Sequence, residues 1–279
     1  MASRTWLITG AGRGLGRAFV DAALGNGDRV VATARKPDDL RAALDAHGDR
    51  ALVLPLDVTD ADAVRQAVEL ATEAFGGVDV LVNNAGYGLS GGVEEVSEQQ
   101  ARDQFETNFF GALWMTRAVL PQMRARRAGH IVQISSVAGL TAAPNIGIYA
   151  ASKWALEAMS EALTTEVAPL GIRVTIVEPS GFKTDWGGSS MDRAAPIADY
   201  DDVLEARRQS LRGPLSPDVY RGVPALAAQR LVELVESEDP PTRLLMGNMA
   251  VELATAAYER RLREFAKWEH VSRSVDATP

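Results

Sequence analysis

Short runs of aliphatic and β-branched residues alternate along the chain with longer stretches in which apolar positions recur every three to four residues. The runs are Trp6–Thr9, Arg29–Ala34, Ala51–Leu56, Val78–Val82, His130–Ser135 and Ile172–Val177, each bounded by turn residues. Runs this short and this apolar suit strands that are buried on both faces. Between them the helical period marks Leu15–Leu24, Asp38–Ala46, Ala61–Phe75, an interrupted stretch across Ser97–Arg127, and Ile148–Pro169. Thr59-Asp60 and Ser97, each ahead of an acidic first turn, predict helix starts, and Gly171 predicts a stop. The alternation predicts an α/β fold: a doubly wound, mostly parallel sheet with right-handed crossovers and helices on both faces.

Two regions change this rhythm. Gly187–Gly222 is rich in Gly, Ser and Pro, carries the acidic patch Asp199–Asp202, and includes one short helical stretch. It reads as a loop or lid insertion at about 187–222, because a further strand, Leu244–Met246, is expected after it. Beyond Asn248 a charged helical period around Tyr258–Trp268 predicts a terminal packing helix within a C-terminal extension over 248–279. With 279 residues, 46% of them hydrophobic and 24% charged, one large core in a single domain spanning 1–279 is expected.

Composition removes several chemistries. The chain has no cysteine, which excludes disulfides, a thiolate nucleophile and cysteine-ligated metals. His47, His130 and His270 are scattered without metal-ligand spacing, so neither a metal site nor a Ser-His-Asp hydrolase is expected. A net charge of −8 argues against a nucleic-acid partner. The first ten residues hold too few apolar positions for the roughly 7–15-residue core of a signal peptide. No uncharged run approaches the roughly 18 residues of a membrane span. A soluble, cytoplasmic protein with no membrane partner is expected.

The candidate chemistry begins where the first strand runs into Thr9-Gly10-Ala11-Gly12-Arg13-Gly14-Leu15-Gly16. So many glycines let the backbone approach a pyrophosphate and aim the first amides of the next helix at it. The third glycine of a GxGxxG string counted from Gly12 would fall at position 17, which is Arg17. A plain helix-start turn is the competing reading, and the place directly after the first strand favours the nucleotide. Tyr149 and Lys153, four residues apart, share one helix face, so the ammonium can favour an ionised phenol. A phenol with the usual pKa of about 10 is a poor acid or base at neutral pH, and a general acid–base role needs it matched to the operating pH. The competing reading is an amphipathic helix with a packed tyrosine and a solvated lysine. Ser136, thirteen residues before Tyr149, and the nucleotide loop upstream weigh towards catalysis.

Gly10, Gly14 and Gly16 in TGxxxGxG spacing, Asn83-Asn84-Ala85-Gly86, Ser135-Ser136 and Tyr149-Ala150-Ala151-Ser152-Lys153 together resemble the short-chain dehydrogenase/reductase family over roughly residues 5–184. The resemblance implies a Rossmann-like oxidoreductase that moves a hydride between C4 of a nicotinamide and a ketone or secondary alcohol. It implies Tyr149 as general acid/base, Ser136 as the group that positions the reacting oxygen, and Lys153 as the group that lowers the phenol's pKa and holds ribose hydroxyls. Asn108 would anchor a water in a proton relay to Lys153. Ser135 competes with Ser136, and the thirteen-residue spacing favours Ser136. Cofactor contacts are implied at Gly10, Arg13, Gly14, Leu15 and Gly16, at Asp57 and Val58 near the adenine, at Asn84, Ala85 and Gly86, and at Tyr149 and Lys153. Pro179, Gly181 and Thr184 would meet the nicotinamide end, although Ser180 interrupts the family's adjacent Pro-Gly. Asn83 reads as structural as much as ligand-binding. The resemblance also implies a homodimer or homotetramer, built through Ala101–Arg127 and Ile148–Pro169.

At the end of the second strand Ala34 stands where relatives that prefer NAD carry aspartate, and Arg35 follows it. With Arg13 in the glycine loop this favours NADP(H) over NAD(H), because arginine pairs with a 2′-phosphate and an acid with the ribose hydroxyl. Two other readings stay open: an NADP(H)-binding sensor without catalysis, and an epimerase or dehydratase of the extended type. Tyr87, Leu89, Val137, Leu140, Asn145, Trp186 and Met191 are candidate pocket residues, and their mostly apolar character suggests a fairly apolar carbonyl or alcohol substrate.

Overall fold

The computed structural model describes residues 3–184, 188, 190–212 and 222–276. Its centre is a seven-stranded parallel sheet in the order β3-β2-β1-β4-β6-β7-β9. The strands are β1 (Thr5–Ile8), β2 (Arg29–Ala34), β3 (Ala51–Pro55), β4 (Val80–Asn83), β6 (Gly129–Ile134), β7 (Ile172–Pro179) and β9 (Arg243–Met246). Leu7 pairs with Val31 on one side and Leu81 on the other, so β1 and its neighbours form the sheet's buried middle. The strand order reverses between β1 and β4, the place where a parallel sheet opens a crevice at its carboxyl edge.

Successive residues of a strand point to opposite faces, and each face has its own core. Trp6, Ile8, Val30 and Val82 pack with helices α1 (Gly14–Gly25), α2 (Asp38–Leu44) and α8 (Pro224–Glu236). Leu7, Val31, Leu81 and Ile131 pack with α3 (Ala61–Phe75), α5 (Gly111–Arg126) and α6 (Gly147–Val167). Asp60 caps α3 by accepting from the Asp62 and Ala63 amides, and Ser97 forms a capping box with Gln100 at the start of α4 (Glu98–Phe105). The interrupted helix over Ser97–Arg127 resolves into α4, a π-helical turn at Glu106–Phe110, and α5. Gly171, in the left-handed conformation, ends the turn that follows α6.

The chain departs from the sequence reading in three places. A two-stranded parallel ribbon joins β5 (Gly88–Ser90) to β8 (Met191–Arg193); each is only three residues long, too short to leave an apolar run. The 187–222 insertion holds more regular structure than the one helical stretch expected there: its described part has this strand and a 3-10 turn at Ala198–Tyr200 besides α7 (Asp201–Arg212). α7 is docked by buried Leu204 and by Arg208, which pairs with buried Glu95 and, at 2.6 Å, with Asp201. Finally, α9 (Asn248–Arg273) packs only through Ala250, Ala254 and Ala257; beyond them Arg261 lies partly covered over the Trp154 ring, and the other residues to Asp276 are exposed. The expected packing helix is therefore a packed first half with a projecting second half. Among the described residues no helix is long and apolar enough to cross a membrane.

Candidate active site

At the carboxyl end of β1 the chain must turn sharply, and Gly10 (φ +64°) and Gly14 (φ +59°) supply the left-handed conformations. Gly16 is needed for a different reason: a Cβ there would collide with Asn84 Nδ2 and the Gly10 carbonyl oxygen. Asn84 donates through that nitrogen to the Thr9 and Gly10 carbonyls at 2.9 and 3.1 Å, while Thr9 Oγ1 accepts from the Asn84 and Ala85 amides, both at 3.0 Å. The Asn84–Gly86 segment thus fixes the glycine loop. Asn83 faces inward, where Nδ2 bonds the Ala112 carbonyl, Thr116 and Gln133, which makes it a strut between β4, α5 and β6.

Arg13 occupies the N-cap of α1 with extended backbone, and its own side chain does not cap the first-turn amides. Uncapped amides at a positive helix terminus, in a loop open enough for backbone contact, are a donor set that fits a pyrophosphate. Thr184 closes on this loop, 3.5 Å from where a Cβ of Gly14 would lie, and so brings the Pro179–Thr184 segment to it. Gly12 faces the Ala34 methyl at 3.6 Å by the same measure, with Arg13 and Arg35 exposed around it. The Arg35 charge also reaches Tyr87, whose phenol burial and the nearby Asp103 and Asp192 push up to about 12. Asp57 is exposed and spends Oδ1 on the Thr59 amide and hydroxyl at 3.0 and 2.8 Å, and Val58 is buried against Gly111.

The second half of the site lies where β6 ends and α6 begins. The Ser136 hydroxyl hydrogen-bonds the Tyr149 phenol and accepts from the Ala138 amide at 3.1 Å. Ser135, its competitor, instead meets Glu157 against Gly139, where a Cβ would lie 2.7 Å from Ser135 Oγ and 2.8 Å from Glu157 Oε1. Tyr149 sits in an apolar cluster with Leu89, Ala138, Ile146, Ala150 and Met191. Burial pushes its phenol up to about 12, and the Ser136 hydrogen bond pulls the other way. Any depression of the phenol by Lys153 is outweighed here, contrary to the sequence expectation, because the ring is buried more deeply than helix spacing alone reveals. Lys153 Nζ donates to the Ile134 carbonyl at 2.9 Å, and burial pushes the amine down to about 8 against the opposing charge of Glu157.

Asn108 lies in the π-helical turn and is buried. Its amide holds both backbone groups of Tyr87, at 3.1 Å each, and donates to Ser152 Oγ at 3.2 Å. Asn108 and Lys153 approach each other at Gly86, whose Cβ would lie 3.0 Å from Asn108 Oδ1 and 3.6 Å from Lys153 Nζ. Gln104 also donates to the Tyr87 carbonyl, a support missed in the sequence because a helix glutamine carries no distinguishing pattern. Among the candidate pocket residues, Leu89 and Met191 pack beside Tyr149, and Val137 and Leu140 are buried nearby in the chain. Asn145 (φ +67°) bonds Ser90 and so holds its loop to β5, while Trp186 lies outside the described residues.

A parallel sheet with a glycine-rich loop at its switch point, and Ser136, Tyr149 and Lys153 gathered where β6 ends and α6 begins, defines a Rossmann-like α/β protein. The short chain dehydrogenase family model matches residues 4–194, and the chain belongs to that family. It is 40% identical over 271 residues to an oxidoreductase, BOA17, of Botryotinia fuckeliana, covering 97% of this chain and 98% of the relative. A 3-ketodihydrosphingosine reductase of Bacteroides thetaiotaomicron is 35% identical over 241 residues, 86% and 87% of the two chains. The crystal structure of a short-chain dehydrogenase from Streptomyces avermitilis superposes with a TM-score of 0.92 at 40% identity, over 99% of each chain. Two further structures at about one-quarter identity carry cofactors. One, from Burkholderia cenocepacia, holds NADP (TM-score 0.74, 26% identity, 95% and 97% covered). The other, from Burkholderia phymatum, holds NAD (TM-score 0.78, 25% identity, 99% and 97% covered).

Proposed function

We propose that the protein is an NADP(H)-dependent oxidoreductase acting on a fairly apolar ketone or secondary alcohol, with Tyr149 as general acid/base. The observation that carries this reading is the Ser136 hydroxyl on the Tyr149 phenol, with Lys153 one helical turn away. When bound, the nicotinamide supplies or accepts the hydride. The amides of Gly14, Leu15 and Gly16 hold the pyrophosphate, with Gly10 giving the backbone close approach. Thr184, Pro179 and Gly181 border the nicotinamide end, and Asp57 and Val58 border the adenine. Ser136 orients the substrate oxygen, and Tyr149 gives it a proton in reduction or takes one in oxidation. Lys153, buried and close to its titration point, supplies the positive charge that offsets a phenolate at the moment of transfer and holds the ribose hydroxyls. Asn108 keeps the Tyr87 backbone and Ser152 in register beside it.

The relatives support the class of reaction more than the cofactor, since similar structures hold NADP in one case and NAD in another. The NADP(H) preference rests on Ala34 with Arg13 and Arg35. An apolar substrate is favoured by the side chains packed around Tyr149 and by a relative named 3-ketodihydrosphingosine reductase. The test is a panel of ketones, aldehydes and secondary alcohols, graded in chain length and polarity and followed by nicotinamide absorbance. Turnover is expected to rise with apolar size. A panel without turnover, from a protein that still binds NADPH, would overturn the catalytic reading.

A further inference from the structure

Behind Lys153 three elements, α6, β7 and β9, converge on a largely buried ionic cluster that the reaction described above does not use. Glu157 follows Lys153 by one turn of α6, and Glu178 is the penultimate residue of β7; they are 4% and 0% exposed. Arg243, the first residue of β9, donates to Glu157 Oε2, to Glu178 Oε1 at 2.8 Å and to the more exposed Glu161 Oε2 at 2.9 Å. The guanidinium therefore satisfies one oxygen of each buried glutamate. Of the remaining two, Glu157 Oε1 lies beside the Ser135 hydroxyl, whereas Glu178 Oε2 is buried with no hydrogen-bond partner among the described residues.

Leaving a buried polar atom unsatisfied costs roughly 1–3 kcal/mol, and more for a charged group. A single Arg243 nitrogen, Nη1, donates to both carboxyls, so the two lie side by side on one donor. Only a proton can turn that contact between two acceptors into a bond. Ser135 Oγ faces Glu157 Oε1 across Gly139 and can serve it as a donor. The charged groups around the pair are the buried Lys153 and the exposed Glu161 on α6 and the partly exposed Arg243 on β9, whose charge solvent partly screens, so that it does less to keep both carboxyls ionised.

We propose that Glu157 and Glu178 hold one proton between them, and that this carboxyl pair is a positioning device which sets the charge of Lys153. The inference rests on Lys153 serving the reaction as read above. As pH rises the shared proton leaves for solvent and the pair passes from one negative charge to two. The added charge lies behind the lysine and holds its ammonium in the charged form, at the pH where burial alone would discharge it. Burial holds both glutamates above the ordinary carboxylate range, Glu178 at about 7, which puts this exchange just below the titration of Lys153.

Two measurements on the full chain test this. In the unmodified protein, infrared titration should show the carbonyl stretch of a protonated carboxyl near pH 6 that fades as pH rises through about 7; Glu178→Gln should abolish that change. In kcat–pH profiles, Glu157→Gln and Glu178→Gln should move the alkaline limb to lower pH by about one unit, the size expected for removing a nearby opposite charge. Glu161→Gln, at the exposed end, should leave the limb in place. A protein without the protonated-carboxyl band would overturn the shared proton, a readout that needs neither a substrate nor a folded variant. Variants that lose activity equally at every pH would reduce the cluster to a structural clamp. Undiminished activity of Tyr149→Phe would instead sink the reading of the site, while leaving the infrared result to stand.

Discussion

Asn84 donates to the Gly10 carbonyl at 3.1 Å, so the segment that closes β4 and the loop that opens α1 form one rigid unit. Gly16 is the residue that permits the approach, since any Cβ there meets both groups. Gly16→Ala is expected to cost about 1–3 kcal/mol of stability, the usual range for overpacking a fitted site. The same change should displace the loop and weaken nucleotide binding. Thermal unfolding and NADPH fluorescence titration check both, and an unchanged Tm with unchanged Kd would contradict the account.

Replacing Tyr149 by Phe keeps the ring among Leu89, Ile146 and Met191 and removes only the hydroxyl proposed as the proton donor. Turnover should fall by roughly 10²–10⁴-fold, the usual contribution of a general acid or base, with NADPH affinity nearly intact. Lys153→Met should lower both turnover and cofactor affinity, because the lysine is assigned to both. Steady-state kinetics together with direct binding separates the two patterns.

Cofactor choice should follow the charges at the end of β2. Each arginine that meets a 2′-phosphate is worth about 1.5–3 kcal/mol, roughly ten- to 150-fold in affinity. Ala34→Asp combined with Arg35→Ala removes one such contact and adds an acid that repels the phosphate and accepts from the ribose hydroxyl. The preference should then pass from NADPH to NADH. Dissociation constants for both nucleotides decide it, and the NADPH preference of the unmodified protein should shrink as salt rises. Equal or tighter NADH binding by the unmodified protein would refute the assignment.

His130, on β6, is buried with Nε2 3.0 Å from Thr175 Oγ1, and burial, aided by the Arg173 and Arg4 charges, pushes it down to about 4. An unfolded chain takes up this histidine's proton near pH 6.5, well before the folded one does. The stability it contributes is therefore fully present above pH 6.5 and is lost as pH falls towards 4, by up to about 3 kcal/mol for a shift of this size. Glu178 works in the opposite direction, since its raised value makes the folded chain hold more protons between pH 4.5 and 7. The difference in Tm between the unmodified protein and His130→Gln isolates the histidine. That difference should narrow as the pH falls from 7 to 5, and a gap independent of pH would exclude the effect.

Much of this architecture was legible because it depends on spacing within one element. Apolar runs report strands buried on both faces, glycines at fixed intervals report a backbone that must turn tightly, and Tyr149 with Lys153 report one face of one helix. What escaped depends on burial and on contacts between distant segments. The three-residue strands β5 and β8 carry no periodic signal. The phenol of Tyr149 reads as a lysine-lowered acid from its helix spacing, yet its enclosure by Leu89 and Met191, from separate segments, reverses the direction. Arg243 and Glu157 lie 86 positions apart, and a glutamate in a helical stretch is by default a surface residue. Nothing short of the folded topology brings those two together behind the active-site lysine.

Met191 is paired with Gly88 in the small ribbon and also packs with Tyr149. A change of side chain in β5 or β8 is therefore felt at the phenol while the seven-stranded sheet goes undisturbed. The ribbon is the part of the fold that can be retuned without being rebuilt.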